Sequence, residues 1–205
     1  MNKKTATVTA ALALAASSVI VPNSADAANK IRFGSELNST IQPSNSVPGL
    51  QCDLNDPTVE CTFVMNEAYG RPDGGEKSPT QGTLKKVRVI SGAAGTFQLQ
   101  LVKAKEVNGV WQAKVKAQGP TINLTGQDDS NWDTDNYKVE VFKVHMYIKK
   151  GWRLAMKATS TSAVRCSSGG DNTLIFTPPL ASNQGYRPAT SDDGCWPLIE
   201  GVVKS

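Results

Sequence analysis

The sequence predicts an all-β protein, an antiparallel β-sandwich of the jelly-roll kind, with an immunoglobulin-like sandwich as the alternative. Apolar and polar residues alternate with period 2 along most of the chain after residue 27, and helical periodicity is nearly absent. About ten such runs, spaced roughly 8–14 residues apart, are separated by turns rich in Gly, Pro, Asn and Asp. Short strands joined by tight turns favour a sandwich over a parallel α/β fold.

Residues 1–27 have the pattern of a Sec-type signal peptide. A basic start precedes the apolar stretch Ala6–Val21, and Ala25-Asp26-Ala27 supplies the small residues of a signal peptidase site. We therefore expect export, with residues 28–205 forming one secreted, extracellular β-sandwich domain. No later apolar run is long enough to cross a bilayer, so no transmembrane segment is expected.

The first strands are predicted at Ile31–Phe33, Cys61–Met65, Leu84–Ile90 and Phe97–Leu101. The last of these alternates cleanly, which places its two glutamines outward and its three apolar residues in the core.

The clearest hairpin is centred on Asn108-Gly109. Both residues accept the positive φ that a type I′ turn requires, and alternating runs flank the pair. The following run predicts Trp111 in the core, and a later run predicts the same for Trp152.

The longest predicted strand region is Tyr137–Lys150. Val139 and Val141 share one phase, whereas the apolar residues from Phe142 onward share the opposite phase. A β-bulge near Val141-Phe142 would reconcile the two phases, because one extra residue reverses the facing.

Three further strands complete the predicted sandwich. Trp152–Ala158 places Arg153 and Lys157 outward, a short strand ends at Phe176, and Leu198–Val203 is the last strand.

The net charge of +4 does not point to nucleic acid, and no block of like charges suggests a polyanion-binding tail. Outward cations nevertheless recur on several predicted strands. If these strands adjoin, one basic sheet face could meet an anionic wall polymer or a membrane surface, although such residues commonly just keep a sheet soluble. The cations are Lys86, Arg88, Lys114, Lys116, Arg153 and Lys157.

Four cysteines in an exported chain predict two disulfides: Cys52, Cys61, Cys166 and Cys195. Three pairings are open, and the local pairing of the first two and the last two is favoured because each closes one loop-rich segment. A zinc site is disfavoured because no C-x2-C spacing is present.

Catalytic patterns are weak, so we expect a protein that is not an enzyme. The single histidine, His145, is predicted on a solvated strand face, and no G-x-S-x-G elbow is present. The alternating acids of a jelly-roll glucanase are replaced by one acid among apolar residues, Glu140, which is interpreted as a surface or cross-strand charge.

An acidic segment near residue 130 is a candidate calcium loop. Asp129, Asn131 and Asp133 stand at positions 1, 3 and 5 of an EF-hand-like pattern, with Glu140 at position 12. Thr134 replaces the turn glycine and no helices flank the loop, so a solvated acidic loop is the alternative. Apart from this structural calcium, no cofactor is expected.

Trp132 and Tyr186 lie in polar segments and are the aromatic residues predicted to be exposed. Exposed rings at the edge of a sandwich can stack on sugars, although loop aromatics often cap the core instead.

The chain also resembles a group of uncharacterised exported bacterial proteins, many of them actinobacterial. The resemblance rests on Phe33-Gly34-Ser35, the first cysteine pair, the turn Ile148–Leu154, and the end Pro178-Pro179-Leu180 after the next cysteine. Trp152 replaces the Asp that usually follows Gly151 in that group. The resemblance implies a jelly-roll or immunoglobulin-like sandwich and carries no activity.

Together these features predict a non-catalytic extracellular sandwich whose partner is a carbohydrate or cell-envelope polymer. A structural or protein-interaction component of the envelope without a small ligand is the alternative, and a glycoside hydrolase is a distant one.

Overall fold

The computed structural model describes residues 30–37, 49–53, 56, 58–127, 138–159 and 163–205. These described residues form eleven strands. They are β1 (Lys30–Gly34), β2 (Glu60–Met65), β3 (Gly82–Ile90), β4 (Gly95–Val107), β5 (Val110–Leu124), β6 (Val139–Ile148), β7 (Arg153–Thr159), β8 (Cys166–Phe176), β9 (Arg187–Pro188), β10 (Ser191–Pro197) and β11 (Ile199–Lys204).

The strands form two antiparallel sheets that share one core. The four-stranded sheet has the order β1-β11-β3-β6, and the seven-stranded sheet has the order β10-β8-β2-β7-β4-β5-β9. The predicted β-sandwich is therefore confirmed. The opposed orders 1-11-3-6 and 2-7-4-5 form a jelly roll. The immunoglobulin-like alternative is wrong, because there the first two strands pair, whereas the first two described strands, β1 and β2, lie in different sheets.

The main core fills the space between the sheets with Phe33, Phe63, Phe97, Leu99 and Met156 among its fully buried members. Phe33 lies against the bare backbone of Gly201 on the paired strand β11. A Cβ at that glycine would lie 2.5 Å from the Phe33 ring, so the two residues fit only as a pair.

The predicted hairpin is confirmed. Asn108 and Gly109 both have positive φ, 52° and 77°, as a type I′ turn requires, and they join β4 to β5.

The predicted bulge near Val141-Phe142 is wrong. The even-numbered residues of β6 point inward along the whole strand, so Glu140 is buried and Val141 is 52 % exposed. The register of Val141 and Phe142 against β3 is regular, and the one shift between these strands comes later, where Leu84 and Lys86 pair with Met146 and Lys143. The inward Glu140 rather than an extra residue explains the apparent change of phase.

A second apolar cluster covers the outer face of the seven-stranded sheet, where Leu180 and Phe176 pack on Val64 and Ala155. This cover corrects the prediction that the glutamines of β4 point to solvent. Gln100 is fully buried, and its amide donates to the Leu180 carbonyl at 3.2 Å.

The predicted signal peptide, residues 1–27, lies outside the described residues and stays a prediction. None of the described residues forms a helix long and apolar enough to cross a bilayer.

Candidate functional site

A pocket of about 700 Å³ opens beside the loop that joins β2 to β3. We call it the aromatic pocket. It is lined by loop residues between Asn66 and Lys77, by Glu36 after β1, by Trp111 and Arg153 from the seven-stranded sheet, and by Trp196 from β10.

The loop is held in place by backbone hydrogen bonds at both ends. Gly34 N–H donates to the Gly75 carbonyl at 2.8 Å, and Glu36 N–H donates to the Tyr69 carbonyl at 2.8 Å. The Ser35 hydroxyl, which is fully buried, donates to the Pro197 carbonyl at 2.6 Å and accepts from the Tyr69 N–H. The loop is thus anchored on β1 and the end of β10, which fixes the pocket wall.

Arg153 forms the floor of the pocket and is 1 % exposed. Its guanidinium donates to the Met65 and Asn66 carbonyls and to Asn66 Oδ1, and it pairs with Glu76 at 3.3 Å. The group lies 5.0 Å from the centre of the Trp111 ring. Burial lowers the pKa of Arg153, and the Glu76 carboxylate opposes that shift. The prediction that Arg153 points to solvent is therefore wrong.

Three partly exposed rings line the pocket: Tyr69, Trp111 and Trp196. Tyr69 and Trp196 meet edge to face, with ring centres 5.5 Å apart. This contact joins the loop to β10 and leaves aromatic surface at the pocket wall.

Besides Glu76, which is paired with Arg153, three carboxylates line the pocket: Glu36, Glu67 and Asp73. Within the described part of the chain, no cation pairs with any of them. The three cations of the pocket have other partners, because Arg71 pairs with Glu200, and Lys77 and Arg153 pair with Glu76. The pocket therefore combines aromatic surface with unneutralised hydrogen-bond acceptors.

A metal site is not found among the described residues. No three His, Cys, Asp or Glu side chains there lie close enough to hold a metal ion. His145 is exposed as predicted, and its Nδ1 lies 3.2 Å from the Lys85 ammonium.

The predicted site residues have different outcomes. Trp132 and the loop residues Asp129, Asn131 and Asp133 lie outside the described residues, so the calcium loop stays a prediction. Glu140 is buried rather than a surface charge. Its carboxylate accepts from the Ser91 hydroxyl at 2.5 Å and from the N–H and hydroxyl of Thr125 at 3.1 and 3.0 Å.

Tyr186 is half-buried, and it does not belong to the aromatic pocket. The ammonium groups of Lys105 and Lys114 lie 4.4 and 4.6 Å from its ring centre, so its π surface already has cationic partners. Trp111 and Trp152 are partly buried and pack on the two core clusters, which confirms core contact for both, although neither ring is fully buried.

The local cysteine pairing is confirmed, with Cα–Cα distances of 5.5 Å for both Cys52–Cys61 and Cys166–Cys195. The second pair links β8 to β10, directly before Trp196.

Sequence reasoning missed Tyr69, Arg71, Glu76 and Trp196 as pocket residues. They come from a Gly/Pro-rich loop and from a strand 120 residues later, and only the register of the sandwich joins them. No family model, curated protein or solved structure matches this chain.

Proposed function

We propose that the protein is a non-catalytic carbohydrate-binding sandwich that holds a neutral glycan in the aromatic pocket. The observation that carries the proposal is the combination of three partly exposed rings with three unpaired carboxylates around one cavity.

The rings match the apolar face of a pyranose. Aromatic surface at Tyr69, Trp111 and Trp196 offers CH–π contact to the ring hydrogens of a sugar. A cavity of about 700 Å³ lies within the range of small-molecule sites, so it has room for a short oligosaccharide segment.

The carboxylates favour a neutral ligand rich in hydroxyl groups. Ionised Glu36, Glu67 and Asp73 are acceptors only, and sugar hydroxyls are donors that suit them. The same charges disfavour an acidic sugar, because like charges brought together without a counterion repel.

We place the protein outside the cell, at the cell envelope, on the basis of the predicted signal peptide. The two disulfides support this location, because disulfides are typical of exported proteins. The resemblance to exported actinobacterial proteins agrees with this setting and adds no ligand.

The test is titration calorimetry of the full chain against neutral, amino and acidic oligosaccharides, followed by pulldown on insoluble cell-wall polysaccharide. We expect at least one neutral oligosaccharide to bind. Trp196→Ala should weaken that binding about tenfold or more, in line with the loss of one central aromatic contact. Tyr147→Ala is the matched control, because Tyr147 is an aromatic residue, 54 % exposed, on the four-stranded sheet.

Asp73→Asn provides a second variant for which folding is not at risk, because Asp73 is exposed on the loop. Binding that survives both changes, or that the Tyr147 control reduces equally, would favour the envelope interaction protein without a small ligand. Release of new reducing ends would instead point to a glycoside hydrolase.

A further inference from the structure

A second concave surface, which we call the basic groove, lies on the outer face of the four-stranded sheet. This basic groove encloses about 510 Å³ and shares no lining residue with the pocket. Its cations are Lys30, Arg32, Lys85, Lys86, Arg88 and Lys204. The other lining residues are three valines, so the described lining contains no carboxylate.

The strand register sets these cations side by side. Arg32, Val202, Lys86 and Lys143 occupy one continuous cross-strand row over all four strands. Neighbouring strands are about 4.8 Å apart, so the row presents positive charge over roughly 14 Å.

Two pairs of lysines lie directly opposite each other, Lys30 with Lys204 and Lys86 with Lys143. Like charges opposite one another destabilise an antiparallel pair. Two such destabilising lysine pairs lie on the same face of the sheet. This pattern is expected where the face binds an anion, because the bound anion removes the repulsion between the lysines.

Glu200 orders the arginines of this face. The carboxylate is 1 % exposed and accepts from Arg32 at 3.4 Å and from Arg88, both of which line the groove. One buried carboxylate cannot neutralise six cations, so the groove keeps a large positive charge.

We infer that the basic groove binds a linear polymer of phosphodiester-linked polyols. Its phosphates would lie on the lysine and arginine rows, and its carbon linkers would contact Val141 and Val202. A concave surface fits a chain better than the flat plane of a bilayer. Nucleic acid is disfavoured because single strands are held by aromatic stacking, and the described lining of the groove contains no aromatic ring.

The experiment measures binding of soluble poly(glycerol phosphate) by the full chain as a function of salt. We expect the logarithm of the association constant to fall linearly with log salt, by about 0.7 per phosphate contacted. K30Q/K86Q, which changes two lysines that line the groove, should weaken binding about tenfold or more at low salt and lower the slope by about 1.4. The control is K138Q/K150Q, which removes the same charge from exposed lysines outside the groove.

Three results would overturn the inference. The first is an equal loss in the control variant, which would mean attraction by net charge alone. The second is equal or tighter binding of a single-stranded oligonucleotide with the same number of phosphates. The third is binding to phosphatidylglycerol vesicles without binding to the soluble polymer. Thermal melts of both double variants check that each is folded, and oligosaccharide binding in the pocket is a separate readout.

Discussion

The guanidinium of Arg71 and the carboxylate of Glu200 form an ion pair of 2.6 Å across 129 residues of sequence. Arg71 belongs to the wall of the aromatic pocket, and Glu200 lies under the arginines of the basic groove. The pair therefore fastens the β2–β3 loop to the outer face of the four-stranded sheet.

We expect Glu200→Gln to lower the free energy of unfolding by about 3 kcal/mol, because three guanidiniums lose the buried negative charge that they surround. Urea denaturation measures the effect. Glu106→Gln, an exposed site on β4, should stay within about 0.5 kcal/mol of wild type. Equal losses in the two variants would show that the arginine cluster does not depend on this charge.

The opposed lysines predict a gain rather than a loss. K86Q/K143Q should raise stability by about 0.2–1 kcal/mol at low ionic strength, because one like-charge pair is removed. The gain should shrink in high salt, which screens exposed charges. A melting temperature that falls, or a gain that is independent of salt, would contradict this reading of the face.

The sequence allowed the strand pattern, the hairpin at Asn108-Gly109 and the cysteine pairing to be predicted, because each depends on short-range rules. It did not reveal which of the residues that point away from the main core are buried by other segments of the chain. Gln100 and Arg153 follow the outward phase of their strands, yet both are buried, because the segment after β8 and the β2–β3 loop lie over that face. Such cover comes from contacts between segments distant in sequence, which periodicity cannot report.

The residues of the candidate site could not be predicted from the sequence. The polar segments of the sequence predict exposed rings at Trp132 and Tyr186, whereas the rings that line the pocket are Tyr69, Trp111 and Trp196. Trp111 was assigned to the core because its strand alternates, and Trp196 follows a cysteine in a segment without clear periodicity. Convergence of these rings depends on the order of strands in the sheets.

Burial raises the pKa of Asp193, and the neighbouring charge of Asp192 raises it further. A raised folded-state pKa means that the folded chain holds a proton more tightly than the unfolded chain. The stability that this bound proton contributes to the folded chain is fully present below the pKa of the unfolded chain, near 3.8. It is lost as the pH rises through the folded-state pKa.

We therefore expect Asp193→Asn to raise the melting temperature at pH 7, with the advantage vanishing near pH 3. Calorimetric melts across this range provide the measurement. Asp192→Asn removes only the smaller cause, so its gain should be smaller. An advantage for Asp193→Asn that grows on acidification would refute the assignment.

The two disulfides should differ in their contributions. They close segments of 9 and 29 residues, and in the chain-entropy model the longer loop contributes about 1 kcal/mol more. We expect the Cys166→Ala/Cys195→Ala variant to be less stable than Cys52→Ala/Cys61→Ala by about that amount. Guanidinium unfolding of both variants tests the order, and the reverse order would show that side-chain packing rather than loop length dominates.

Arg153→Lys tests whether the stability of the protein depends on the planar guanidinium group at the floor of the pocket. Lysine supplies a point charge in place of the planar group that now serves the Met65 and Asn66 carbonyls and Glu76, so buried acceptors would lose their donors. We expect a loss of about 2–4 kcal/mol in unfolding free energy. The reciprocal exchange Lys157→Arg lies on the same strand at a half-buried site paired with Glu60, and it should be nearly neutral. A loss below about 1 kcal/mol for Arg153→Lys would mean that positive charge alone maintains the floor, without the directed hydrogen bonds.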